Sequence, residues 1–160
     1  MSEITIPKPT QPAPLEGYWS PKDAKKILAW DYVSQRMHDA PNYWIATVNP
    51  NGMPHVVPVW GVWLDETLYF GGGPHTRWSR NLIRHPQVTV HLDDSNHAVI
   101  MEGHVTRYAD PESDVLRRID DAYEAKYDMR HGPPIWHLHL RKVLAWKGMD
   151  TVTRWLFEET

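Results

Sequence analysis

The period of the apolar positions changes several times along the chain, and each change marks an element. Ile27, Trp30, Val33 and Met37 recur at helical spacing and form one stripe. Ser20 as N-cap, Pro21 at the first helical position and Asp23 in the first turn predict where this helix starts, and Pro41 predicts its end. From Tyr43 the period becomes two. Tyr43 to Val48 reads as a strand and Asn49-Pro50-Asn51-Gly52 as a tight turn. A second strand runs from about Met53 to Leu64, turns at Asp65-Glu66 and returns as Thr67 to Phe70, so the three strands are expected to form a meander. Pro54 and Pro58 cannot donate ladder bonds, which predicts an edge or distorted stretch with backbone free for another partner.

After Gly71-Gly72-Gly73-Pro74-His75 a short helix is predicted from Thr76 to about Arg84. A fourth strand, Gln87 to Asp93, places Val88, Val90 and Leu92 on one face, and Asp94-Ser95-Asn96 leads into a fifth, His97 to Arg107. Asp110-Pro111 opens a second long helix with Leu116, Ile119, Tyr123 and Tyr127 on its stripe, and Arg130 to Pro134 is a loop. The sixth strand covers about Ile135 to Trp146, and its alternation slips near Arg141-Lys142, which predicts a bulge. The pattern is mainly β, with peripheral helices, and many short strands point to a barrel or sandwich. Residues 1–17, carrying Pro7, Pro9, Pro12 and Pro14, read as an extended flexible arm, and residues 18–160 as one domain.

Composition narrows the function more than the fold. A length of 160 residues and a 41% hydrophobic content suit a single core without repeats. A formal charge of −3 argues against a nucleic-acid partner, because phosphate binding needs a basic face. The absence of cysteine removes disulfides, thiolate metal sites and thiol nucleophiles. The first residues lack an apolar run, and no run elsewhere approaches the roughly 20 residues that cross a bilayer, so a soluble cytoplasmic protein without membrane contact is expected. Nine tryptophans against two phenylalanines read mostly as core, with a pair of them lining a flat aromatic pocket.

Two segments could carry chemistry. Gly71 to Asn81 combines glycines, which allow close backbone approach, with a helix N-terminus, the Thr76 hydroxyl and the guanidinium forks of Arg77 and Arg80. It fits an anion site, and it equally fits a capped turn with two solvated arginines; it is not a P-loop. Pro54 to Trp63 fits a kinked edge strand closing a barrel, and also a slot where a planar ring lies against free backbone groups. His137 and His139 share one strand face and His91 and His97 are expected to approach across a hairpin, but the spacing reads as surface histidines without a metal. Ser79 and Ser95 lie in no nucleophile elbow.

Taken together, Tyr43-Trp44-Ile45-Ala46-Thr47-Val48, Asn51-Gly52-x-Pro54-His55, Pro58-Val59-Trp60, Thr76-Arg77-x-x-Arg80-Asn81-Leu82, Pro86-x-Val88, Glu102-Gly103 and the closing Thr153-Arg154-Trp155-Leu156-Phe157 resemble the pyridoxamine 5′-phosphate oxidase-like, or flavin/deazaflavin oxidoreductase, superfamily. The resemblance implies a six-stranded split β-barrel that forms a homodimer with cofactor sites at the interface. It implies an oxidoreductase that moves hydride between a deazaflavin, coenzyme F(420), or FMN and a small-molecule substrate, with the deazaflavin preferred. A non-enzymatic carrier or store of a flavin or haem is the alternative within the same fold. By the same resemblance Val57, Pro58, Val59 and Trp60 flank the ring, Thr76, Arg77, Trp78, Arg80 and Asn81 form the phosphate segment, and Trp155 reaches the partner's cofactor. Trp78 stands where many relatives carry a basic residue, so Trp78→Lys is expected to strengthen FMN binding if that position faces phosphate. The strand matching Val57 to Val62 lacks further basic residues, so pyridoxamine 5′-phosphate oxidase activity itself is not expected.

Overall fold

In the computed structural model, residues 3–12, 26–108 and 112–159 are described. The element order is α1 (Trp30–Asp39), β1 (Tyr43–Val48), β2 (Pro54–Val59), β3 (Gly61–Leu64), β4 (Thr67–Gly71), α2 (Arg77–Arg84), β5 (Gln87–His91), β6 (Val99–Tyr108), α3 (Asp114–Tyr127), β7 (Ile135–Ala145) and β8 (Thr153–Leu156). Every named strand pair is antiparallel, and the sheet runs β2-β1-β5-β6-β7-β4-β3 with β8 added beside β7. The result is a curled antiparallel sheet with three peripheral α-helices among the described residues, the split-barrel architecture that the family resemblance implies.

The six predicted strands are all present, and two details differ. The run from Met53 to Leu64 is divided at Trp60, so β2 and β3 lie at opposite ends of the sheet path. The predicted meander is therefore two hairpins, β1–β2 and β3–β4, joined by one bent connection. A chain cannot follow two ends of a curled sheet without a kink, and Trp60-Gly61 supplies it. A Cβ on Gly61 would lie 2.9 Å from the Tyr69 carbonyl oxygen and 3.1 Å from the Tyr43 ring, so only glycine fits where the chain crosses between the hairpins. The tail forms the second addition: β8 pairs with β7, with Val143 opposite Trp155.

The bulge expected near Arg141-Lys142 is present. Glu102 faces Lys142 while Gly103 faces Leu140, which leaves Arg141 as the extra residue on β7. Gly103 is needed there, since a Cβ would come within 2.0 Å of the His139 carbonyl oxygen.

The first helix differs more. Ala29 is extended and caps without a side-chain bond, so α1 begins at Trp30, and Ile27 lies before it, exposed. Ser20, Pro21 and Asp23 lie outside the described residues, as do Asp110 and Pro111. Helix α3 starts after Ser113. Its Leu116, Ile119 and Tyr123 are buried against β3 and β4, as the stripe predicts. In the arm, Thr10 exchanges backbone hydrogen bonds with Arg154 at 2.8 and 2.7 Å, an isolated bridge to β8. The main core is built from Val33 and Met37 of α1, Leu82 of α2 and the inward residues of the strands, and four indoles, Trp63, Trp78, Trp136 and Trp155, lie within it.

Candidate functional site

Strand β2 lies at one end of the sheet and pairs only with β1, so the edge predicted from its prolines is real. The parity of its bonds follows from the hairpin. Asn49 N–H donates to Met53 O at 2.9 Å, and alternation then directs the backbone of Thr47, Ile45 and Tyr43 toward β2. Their partners His55, Val57 and Val59 supply the ladder. Pro54, Val56 and Pro58 therefore present their backbone to the open edge, where the prolines offer only carbonyls and Val56 offers both an N–H and a C=O. Val56, Pro58 and Trp60 are also exposed on the outer face. The sequence reading did not single out Val56, yet the spacing of Pro54 and Pro58 brackets it and fixes its parity.

At the end of β2, Trp60 is 49% exposed, with one ring face stacked on Tyr127 at 4.4 Å and an interplanar angle of 2°. The C-terminal turn of α3 holds this kink. Tyr123 Oη donates to the Trp60 carbonyl at 3.1 Å, Lys126 Nζ donates to the Gly61 carbonyl at 2.9 Å and to Tyr43 Oη at 2.8 Å, and Gly61 N–H donates to Tyr127 Oη at 3.1 Å. Burial pulls the Lys126 ammonium down to about 8.

Helix α2 carries the second half of the site. Thr76 caps it: Ser79 N–H donates to Thr76 Oγ1 at 3.3 Å, and the hydroxyl donates to Gly73 O at 2.9 Å. The hydroxyl is thus occupied, while the N–H groups of Arg77 and Trp78 have no acceptor among the described residues. Arg77 is half-buried and Arg80 exposed, and neither pairs with a carboxylate among the described residues. Asn81 joins the two halves: its Nδ2 donates to Thr47 Oγ1 at 3.0 Å and Asn49 Oδ1 at 2.9 Å, which locks α2 under the β1 end that leads into β2.

Four of the predicted contacts turn inward. Trp78 is a core residue, packed on Phe70 at 5.7 Å, because Leu82 and Trp78 share the buried face of α2. Trp78→Lys would therefore bury a charge among apolar side chains rather than aim one at phosphate. Asn81 is spent on β1, and the Val59 side chain faces the core. Trp155 is fully buried within its own core, edge-on to Trp30 at 5.4 Å, so its indole has no surface with which to reach a partner's ligand. The glycines also differ from expectation. A Cβ on Gly72 would meet the Trp78 ring at 2.5 Å and one on Gly71 the His131 ring at 2.4 Å, so the close approach at both is made by the chain's own rings, while a Cβ on Gly73 would make only ordinary contact with the Thr76 methyl at 3.6 Å.

The histidines follow their own pattern. His137 and His139 share a face at 4.2 Å, and His104 stacks on His139 at 4.9 Å, whereas His91 stacks on Trp44 and His97 bonds Asp94. Among the described residues no group of three His, Cys, Asp or Glu side chains can hold a metal ion. Burial, and then the neighbouring imidazoles, lowers His137 to about 4. A histidine held below its unfolded value near 6.5 contributes stability that is complete above that value and is lost as pH falls toward 4. Unfolding midpoints are expected to fall across that window and to fall less in His137→Gln; identical pH slopes in the two proteins would contradict this.

Two grooves open elsewhere on the chain. One of about 370 Å³ is lined by Gln87, His104, His139 and Arg141, and one of about 690 Å³ by Trp30, Asp65, Glu66 and Arg118. Neither groove is lined by residues of β2 or α2.

The sequence family described as pyridoxamine 5′-phosphate oxidase matches residues 29–148. No curated protein matches the chain. Among solved structures, a conserved hypothetical protein from Mycobacterium tuberculosis superposes with a TM-score of 0.67 at 18% identity, covering 81% of this chain and 89% of that one. A heme binding protein from Mycobacterium smegmatis gives 0.63 at 18% identity, covering 79% of this chain and 57% of that one. A protein described as an F(420) reductase gives 0.52 at 22% identity, covering 68% of this chain and 94% of that one. At these identities the structural likeness concerns the fold.

Proposed function

Because the chain belongs to the pyridoxamine 5′-phosphate oxidase family, whose members bind flavins such as FMN, we propose that it is an oxidoreductase. It holds a deazaflavin or FMN along the open edge of β2 with the anionic tail at α2, and it moves hydride to or from a small substrate. The observation that carries this reading is the pairing of two unsatisfied surfaces: the Val56 backbone edge and the unpaired Arg77 and Arg80, both set at one end of the sheet through Asn81.

The residues present fit such a group. Arg77, Arg80 and the free N–H groups at the start of α2 would neutralise a phosphate. Val56 would bond a ring edge through its N–H and C=O, and Trp60, held by Tyr123, Lys126 and Tyr127, would bound the ring slot. When bound, the cofactor supplies the hydride chemistry itself. The chain's part is to orient the ring, match the tail's charge and exclude water. The open surface at β2 and the exposed Val48 and Val56 beside it support a second copy of the chain as the wall that encloses the ring.

Titration of the purified protein with a deazaflavin and with FMN, followed by absorbance and fluorescence, is expected to give saturable binding, and the reduced cofactor is expected to be reoxidised by a suitable acceptor. Absence of binding by both would refute the reading. The second reading, a carrier of a flavin or haem without turnover, is favoured by the likeness to the heme binding protein; binding without reoxidation by any acceptor would select it.

A further inference from the structure

Helix α3 ends with Tyr123, Lys126 and Tyr127, spaced so that the three share the face that meets the crossover from β2 to β3. The register of β3 on β4 sets Gly61 opposite Phe70, so Trp60 stands across from Gly71, where the chain leaves for α2. The crossover thus adjoins both the β2 edge and the segment that leads to α2. Lys126 Nζ ties three elements together at this point. It donates to Gly61 O on β3 at 2.9 Å and to Tyr43 Oη on β1 at 2.8 Å. It also lies 4.6 Å from the centre of the Tyr43 ring and 5.1 Å from that of Tyr127. The Tyr127 ring in turn carries the Trp60 indole, parallel to it at 4.4 Å. One ammonium therefore acts on Trp60 by two routes, through the carbonyl of the next residue and through the ring on which the indole rests.

Stability does not explain a cation in that place. Burial, opposed by the Asp39 carboxylate on α1, brings the lysine from 10.5 down to about 8. A lysine held below its unfolded value costs stability below about pH 8, and the cost fades as pH rises toward the unfolded value. The other ionisable groups around it, Tyr43 on β1 and Tyr123 and Tyr127 on α3, are pushed up by burial and stay neutral across that range, and β3 presents no ionisable side chain. Nor would removal of the ammonium strand a partner. Tyr43 Oη still donates to Met37 O at 2.6 Å, and Gly61 O lies 3.0 Å from Tyr127 Oη. We propose that Lys126 is a positioning residue: its ammonium fixes the plane of the Trp60 indole and so prepares the slot for a planar ring, at a cost in stability. The inference rests on the functional reading above and deepens it. A wall set before the ligand arrives removes that ordering cost from binding.

The probes are a flavin and a deazaflavin, each with and without its phosphate, and inorganic phosphate alone. At about pH 7, Lys126→Met is expected to raise the melting temperature, because an apolar chain of similar length replaces a half-buried charge. The same variant is expected to weaken every ring compound that binds by about fivefold, with or without its phosphate, the range for a cation held on aromatic faces. Inorganic phosphate, followed at the amides of residues 77–80, is expected to bind both proteins alike. In the absence of ligand, the indole N–H signal of Trp60, assigned by its loss in Trp60→Phe, is expected to shift and broaden in Lys126→Met. A lower melting temperature, an unchanged ring affinity, or an equal loss for inorganic phosphate would each overturn the positioning role. A parent protein that binds no ring compound overturns the functional reading instead, and the Trp60 signal then still decides whether Lys126 holds the crossover.

Discussion

Arg77→Ala is expected to weaken cofactor binding by about 1.5–3 kcal/mol, roughly ten- to hundredfold in Kd, while stability is unchanged. The side chain is half-buried at the first position of α2 and makes no hydrogen bond or ion pair among the described residues, so its removal deprives no group of the protein of a partner. Alanine is also the better helix former, by a few tenths of a kcal/mol. The same change in the presence of a phosphate ligand removes a charge-assisted fork and leaves the anion with Arg80 and two backbone N–H groups. Equilibrium titration checks the affinity and thermal denaturation the stability. An unchanged Kd would move the anion site off α2.

Trp155→Ala is expected to cost about 3–5 kcal/mol of stability, the range for deleting a large aromatic side chain from a core. The indole is fully buried, sits opposite Val143 in the β7–β8 ladder and packs edge-on against Trp30. Its loss opens a cavity between β8 and α1 that the paired backbones cannot close. Trp155 Nε1 is buried without a partner, so Trp155→Phe removes an unsatisfied donor as well as some volume, and it is expected to cost much less than the alanine change. Denaturant unfolding of the variants measures both. A loss below about 1 kcal/mol for the alanine variant, with cofactor affinity reduced, would restore Trp155 as a ligand contact.

The part of the fold that is legible in the sequence carries a periodic and local signal. Val88, Val90 and Leu92 alternate because one face of β5 is buried, and the slip at Arg141 was visible because an extra residue reverses that alternation. Pro54 and Pro58 announced an edge because a proline cannot donate to a neighbour. What was missed depends on orientation about an axis. The Arg77-Trp78-x-Arg80-Asn81 run contains candidates for both faces of α2, and only the packing of Trp78 on Phe70 and the bonds of Asn81 to β1 decide which face meets solvent. Trp155 is subject to the same parity: the tail's pattern shows that Arg154 and Leu156 oppose it, not which side is the core. The break at Trp60 was hidden because Val59, Val62 and Trp63 are all apolar, so no change of period marks the point where the run passes from one end of the sheet to the other. Val56, finally, has no polar side chain to attract notice, and its value to the site lies in its backbone.

The most direct test is a backbone amide map of the isotope-labelled protein during titration with deazaflavin or FMN. Amide perturbations are expected to concentrate on Val56 to Trp60 and on Arg77 to Arg80. Perturbations confined to the groove at Gln87, His104 and His139, or to that at Trp30, Glu66 and Arg118, would contradict the site.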